Sequence, residues 1–147
     1  GAPVFGWAKP VIVNPYNLRN PRKANIYISA AGPGSNLIVA FLTAVIFLLL
    51  KHFGVFGPSM GSNFKVLMYI FFYLIIINIY LVIFNLIPIP PLDGSGILEG
   101  MLKGEAYYQY QKIKPYGFLI LLVIIYSGAF SRIAGPIIVF VMRLLQG

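Results

Sequence analysis

The chain has 147 residues, room for one domain, and is 59% apolar but only 10% charged, where soluble domains carry about 25% charged residues. With a mean hydropathy of +0.86, this excludes an ordinary soluble globular protein and points to an integral membrane protein. The net charge of +8 comes from basic residues between apolar runs, which read as positive-inside anchors and lipid-headgroup contacts rather than as a nucleic-acid surface.

The absence of cysteine rules out disulfides and thiolate metal sites. Gly1-Ala-Pro-Val-Phe-Gly-Trp7 has no charged n-region, no cleavage pattern and no initiator Met. Processing, or a longer parent protein, is the expectation.

Residues 1–23 carry Lys9, Arg19, Arg22 and Lys23 and are broken by Pro3, Pro10, Pro15 and Pro21. They are expected to form an extended hairpin or membrane-surface loop. Val11, Ile12 and Val13 make a short β-like run before the turn at Asn14-Pro15. Trp7 and Tyr16 suit the membrane interface.

Ala24 to Leu50 is uncharged and is the first predicted span. It opens on Ser29-Ala-Ala-Gly-Pro-Gly-Ser-Asn36, whose small residues permit close helix approach. Pro33 either kinks the helix or marks its proper start. Asn36 and the carbonyls freed by Pro33 are candidates to line a polar cavity. Lys51 to Lys65 reads as a loop, and His52, the one histidine, reads as a solvated residue of it.

The second predicted span runs from Val66 to Leu92, with Asn78 in its middle as a candidate hydrogen-bond donor to a neighbouring helix. It ends in Asn85-Leu-Ile-Pro-Ile-Pro-Pro-Leu-Asp93-Gly94. An ionisable group at the end of a membrane span marks a functional site by default. The prolines free backbone carbonyls that need partners. Asp93, presented on broken helix, is a candidate hard oxygen ligand for a metal ion.

Residues 93–114 read as a polar loop with a short helix over Gly96 to Leu102 and an interfacial belt of Tyr107, Tyr108 and Tyr110. Residues 115–142 are read as one span or a broken helical hairpin, interrupted at Gly135-Pro136. The Lys/Arg bias puts residues 1–23 and 93–114 on the cytoplasmic side, with Asp93, and the Lys51–Lys65 loop opposite.

Three segments together carry a resemblance that none carries alone. They are Gly6-Trp-Ala-Lys-Pro-Val-Ile-Val-Asn-Pro15 with Asn20-Pro-Arg-Lys23, then Ala31-Gly-Pro-Gly-Ser-Asn36, then the Asn85–Gly94 motif. In this order and spacing the chain resembles the site-2 protease family of intramembrane zinc metalloproteases, in its compact branch without a PDZ insert. The resemblance weakens after Leu102.

It implies an all-α polytopic membrane protein with a helical core and a short N-terminal β-like or re-entrant segment. It also implies one Zn²⁺, with Asp93 as a ligand and Asn85 as a substrate-orienting or oxyanion-stabilising amide. The family's two histidine ligands and its general base come from a His-Glu-x-x-His helix, which this sequence lacks. The expectation is that this helix belongs to a preceding segment of a longer protein, so that this chain alone neither cleaves peptides nor holds zinc tightly. Gly96 stands where the family often has a basic residue.

The implied activity is cleavage of transmembrane segments of other membrane proteins near the cytoplasmic face of the cell membrane, with the lipid bilayer as the second partner. Val11 to Val13 would line the substrate channel and add a strand to an unwound substrate, or else only cap the cavity. Two other classes stay open. One is a catalytically inactive pseudoprotease that binds membrane-protein partners. The other is a small channel or transporter subunit that uses the broken helix ends.

Overall fold

A computed structural model describes residues 20–56 and 61–146 of the chain. Val11, Ile12 and Val13, and with them the β-like segment, lie outside the described residues.

Helix α1, Pro21–His52, begins where Asn20 caps it, the side chain accepting from the Lys23 N–H at 3.4 Å, with Pro21 in the first turn. This cap draws residues 21–23 into the helix, ahead of the predicted start at Ala24. The helix continues through Pro33, as membrane helices tolerate. It stops in a Schellman turn. Gly54 takes φ +76, its N–H reaches the Lys51 carbonyl and the Val55 N–H reaches the Leu50 carbonyl, both at 3.0 Å.

Helix α2, Ser62–Asn85, starts before Lys65 and ends seven residues short of Leu92. Residues 86–92 are turns, because Pro88, Pro90 and Pro91 cannot donate to a helix and bias the residues before them toward extended backbone. The predicted second span therefore ran too far. Apolarity continued, but the helix did not.

Short helices α3, Asp93–Met101, and α4, Gly104–Ile113, follow. A 3₁₀ turn at Lys114–Tyr116 leads into α5, Gly117–Tyr126, and then α6, Ala129–Gln146. The break between α5 and α6 falls at Gly128, with φ +73, and bends the chain by 61°. The expected break at Gly135-Pro136 does not occur, and α6 runs through Pro136. A left-handed φ is the stronger helix breaker here, and Gly128 takes it without strain.

Helix α6 runs the length of α2. At its start Phe130 packs on Phe84 and Tyr80, with ring centroids 5.5 and 6.1 Å apart. At its end Leu145 packs with Phe47 and Ile75, and its carbonyl accepts from Lys51 Nζ at 3.1 Å. α1, α2 and α6 thus traverse the bundle, and their outward faces expose Leu37, Phe41, Ile70, Ile77, Phe140 and similar side chains. The described residues form an all-α integral membrane protein.

Candidate functional site

Helix α3 lies along the first half of α1, and glycines bring the two backbones together. A Cβ on Gly100 would stand 2.5 Å from Ile26 Cγ1 and 2.8 Å from the Arg22 carbonyl oxygen. A Cβ on Gly96 would strike the Ser29 hydroxyl. Beside it, Asn25 Nδ2 donates to the Gly96 carbonyl at 3.0 Å. One turn further along α1, Gly32 faces Asp93, whose Oδ2 would be 2.5 Å from a Gly32 Cβ. Positions 25, 29 and 32 recur every three or four residues, so they share one helix face. Asn36, half-buried, continues that face one turn beyond Gly32.

The other flank of α3 is held by charge. Glu99 pairs with Lys114 at 2.8 Å and accepts a hydrogen bond from Gln111 Nε2. Burial pushes the Glu99 carboxyl up, but the bonds from Lys114 and Gln111 outweigh it and hold the group below its ordinary value. The Arg22 guanidinium sits 6.0 Å from the centre of the Tyr107 ring, which ties α4 to the start of α1.

The turn that delivers Asp93 is anchored as well. Tyr110 Oη donates to the Pro88 carbonyl at 3.1 Å, and Gly117 lets α5 abut Pro90. The peptide bond between Pro90 and Pro91 is cis. Gly94 packs against the backbone carbonyls of Leu86 and Ile87. Beside this turn lies an apolar cleft of about 450 Å³, lined by Ile83, Leu86, Pro88, Phe130, Ile133 and their neighbours.

Asp93 opens α3 as its first residue and is half-buried. Burial raises its pKa above the ordinary carboxylate value. Among the described residues nothing hydrogen-bonds or ion-pairs with its carboxylate. Asn85, the last residue of α2, is also half-buried. No hydrogen bond joins Asn36, Asn85 and Asp93 to one another. Asn78 is buried but donates to Leu74 of its own helix at 2.8 Å, not to a neighbouring helix. His52 ends α1, about 30 Å along the helix axis from Gly32 at 1.5 Å per residue, so it cannot join Asp93 in one site.

The chain matches the description "Peptidase family M50" over residues 12–128, a stretch that includes α1, α2, α3 and the whole proline turn. The chain belongs to peptidase family M50. Two relatives agree. "Putative zinc metalloprotease YwhC" of Bacillus subtilis (strain 168) is 36% identical over 135 residues, covering 91% of this chain and 60% of that protein. "Putative zinc metalloprotease Rip2" of Mycolicibacterium smegmatis (strain ATCC 700084 / mc(2)155) is 31% identical over 105 residues, covering 71% of this chain and 37% of that protein. The chain thus spans less than two thirds of the length of either relative. No solved structure matches it at a significant level.

The M50 assignment raises the question of whether these residues fit a zinc ion. Asp93 fits as one ligand: it is a hard oxygen donor, partly desolvated, with no hydrogen-bond or ion-pair partner among the described residues. Among the described residues no three His, Cys, Asp or Glu side chains cluster to hold a metal, whereas a catalytic zinc takes three protein ligands. The fit is to one position of a shared site.

Sequence reasoning pointed to Asp93 and Asn85 as candidates but did not anticipate the seam that seats α3. Gly96 read as a departure from the family pattern. The signal was present in Gly96 and Gly100, one helical turn apart, a spacing that permits close helix approach.

Proposed function

We propose that this chain supplies the carboxylate ligand and the substrate-facing turn of an intramembrane zinc endopeptidase that cuts membrane-protein helices. The observation that carries the proposal is Asp93, a carboxylate at the end of a proline-broken membrane helix that has no hydrogen-bond or ion-pair partner among the described residues, in a member of peptidase family M50. Two histidine ligands and a general base come, in this reading, from a His-Glu-x-x-His segment outside this sequence. A bound zinc supplies an activated water and polarises the scissile carbonyl.

The remaining roles belong to this chain. Asp93 holds its place at the head of α3. Asn85 offers an amide N–H₂ to a substrate carbonyl or to the developing oxyanion. Asn36 lines the cavity beside Gly32. The apolar cleft beside Pro88 receives the membrane-embedded part of the substrate. Substrates with helix-breaking residues are favoured, because a hydrogen-bonded helix shields its carbonyls from attack. The site lies toward the cytoplasmic face, as the Lys/Arg bias of the flanking segments supports.

The test uses the full-length protein in bilayer nanodiscs with a transmembrane substrate. Asp93→Asn should abolish cleavage and release zinc while insertion is unchanged. Asn85→Ala should lower turnover while zinc stays bound. Normal cleavage by Asp93→Asn refutes Asp93 as the ligand, whereas a full-length wild type that neither cleaves nor binds zinc refutes the protease reading and leaves the partner-binding pseudoprotease.

A further inference from the structure

From the contact between α1 and α3 we infer that Gly32 is a positioning residue for Asp93: its bare backbone is the seat that fixes where the carboxylate stands. The inference rests on Asp93 being a metal ligand and adds a determinant on a different helix.

The argument is steric. A Cβ on Gly32 would lie 2.5 Å from Asp93 Oδ2 and 3.5 Å from Cγ, and beyond its chain neighbours and its own helix backbone no other heavy atom of the described residues comes within 4 Å. The group that must yield is thus the tip of a rotatable side chain, not backbone. Nothing else among the described residues holds that tip, because no hydrogen bond or ion pair reaches it. A methyl group at position 32 displaces the carboxylate and leaves the packing of α1 on α3 through Gly96 and Gly100 in place.

Effects on the fold and on the site then have opposite signs. Within a helix, alanine is more favourable than glycine, so Gly32→Ala should leave α1 as stable as before or more so. Metal affinity should fall, because a ligand held off its position loses the preorganisation that its supporting residues supply. Loss of such support ordinarily costs about 10–100-fold in metal affinity.

Gly34 gives an internal control. It lies in the same helix, and a Cβ there meets nothing within 4 Å. Gly34→Ala carries the same change in helix propensity without touching Asp93.

The experiment measures thermal unfolding and zinc affinity, by competition with a chromogenic chelator, for full-length wild type, Gly32→Ala, Gly34→Ala and Asp93→Asn in nanodiscs. The expected result is a Gly32→Ala protein that melts at or above wild type and binds zinc about 10–100-fold more weakly, with Gly34→Ala unchanged in affinity. If Gly32→Ala binds zinc like Gly34→Ala while Asp93→Asn does not, the seat is refuted and the ligand assignment stands. A Gly32→Ala protein that loses stability along with zinc also overturns the seat, since packing alone then explains it. Should Asp93→Asn itself keep its zinc, the ligand assignment fails and the seat falls with it.

Discussion

Gly94→Ala tests the other contact that fixes Asp93, and here the obstacle is backbone. A Cβ at Gly94 would stand 2.5 Å from both the Ile87 carbonyl oxygen and the Leu86 carbonyl carbon, whereas ordinary contact begins near 3.4 Å. About 0.9 Å of movement is needed. The turn cannot easily give, because Tyr110 holds the Pro88 carbonyl and α5 abuts Pro90.

Two energies compete. Helix propensity favours alanine by about 1 kcal/mol, and overpacking a well-packed contact costs about 1–3 kcal/mol. Overpacking wins, since neither partner is a side chain that can rotate away. Against rigid backbone the overpacking cost lies at the upper end of its range, about 3 kcal/mol, so the net loss should be ~2 kcal/mol, a fall of several degrees in melting temperature for a chain of this size. Displacing α3 by nearly 1 Å also carries Asp93 with it, and misplacement on that scale can cost about 100-fold in rate. Differential scanning fluorimetry and a cleavage assay, each run beside Gly34→Ala, measure both effects. A Gly94→Ala protein that melts at or above wild type refutes the close packing of α3 on Leu86 and Ile87.

Glu99 is held below its ordinary value of 4.5, so its pairing with Lys114 contributes fully above that pH and is lost as pH falls through the lowered value. Glu99→Gln should therefore cost at most about 1 kcal/mol near pH 7, the pair being partly exposed, with the difference from wild type narrowing as pH falls below 4.5; a gap that does not narrow on acidification refutes the ion-pair account. Phe53 and Lys103 are both exposed and belong to opposite ends of the bundle. Phe53→Cys and Lys103→Cys, in a chain without cysteine of its own, should react with an impermeant maleimide from opposite sides of sealed vesicles, and labelling from one side refutes the topology.

The membrane class and the first two helices were legible because they follow from apolar runs without charge, a property of the residues themselves. The ends of those helices were not. From Leu86 to Leu92 the chain stays apolar, and hydropathy does not separate helix from turn. At the last bend, Gly128 and Gly135-Pro136 look equally able to interrupt a helix. Gly128 adopts the left-handed conformation, and the helix that follows it packs Phe130 on Phe84, a contact between distant segments that local sequence does not announce.

Asp93 was visible because a carboxylate beside a span is costly wherever it stands. The meaning of Gly32 was hidden, because it lies in what is absent from that position and in what another helix places there. Lys114 likewise looked like one more cation of a polar loop until α3 brought Glu99 to it.

The seam between α1 and α3 is reciprocal. Glycines of α3 make room for Ile26 and Ser29 of α1, and a glycine of α1 makes room for Asp93 of α3. Each helix is a mould of the other, across 71 positions of sequence at the Asn25–Gly96 bond. A side chain can grow on one helix only where its counterpart shrinks, so substitutions at 29 and 96 are tolerated in pairs more readily than singly, whereas at 100 the Arg22 carbonyl oxygen cannot shrink. A change at position 29 or 96 is therefore a two-residue event, although neither residue does chemistry of its own.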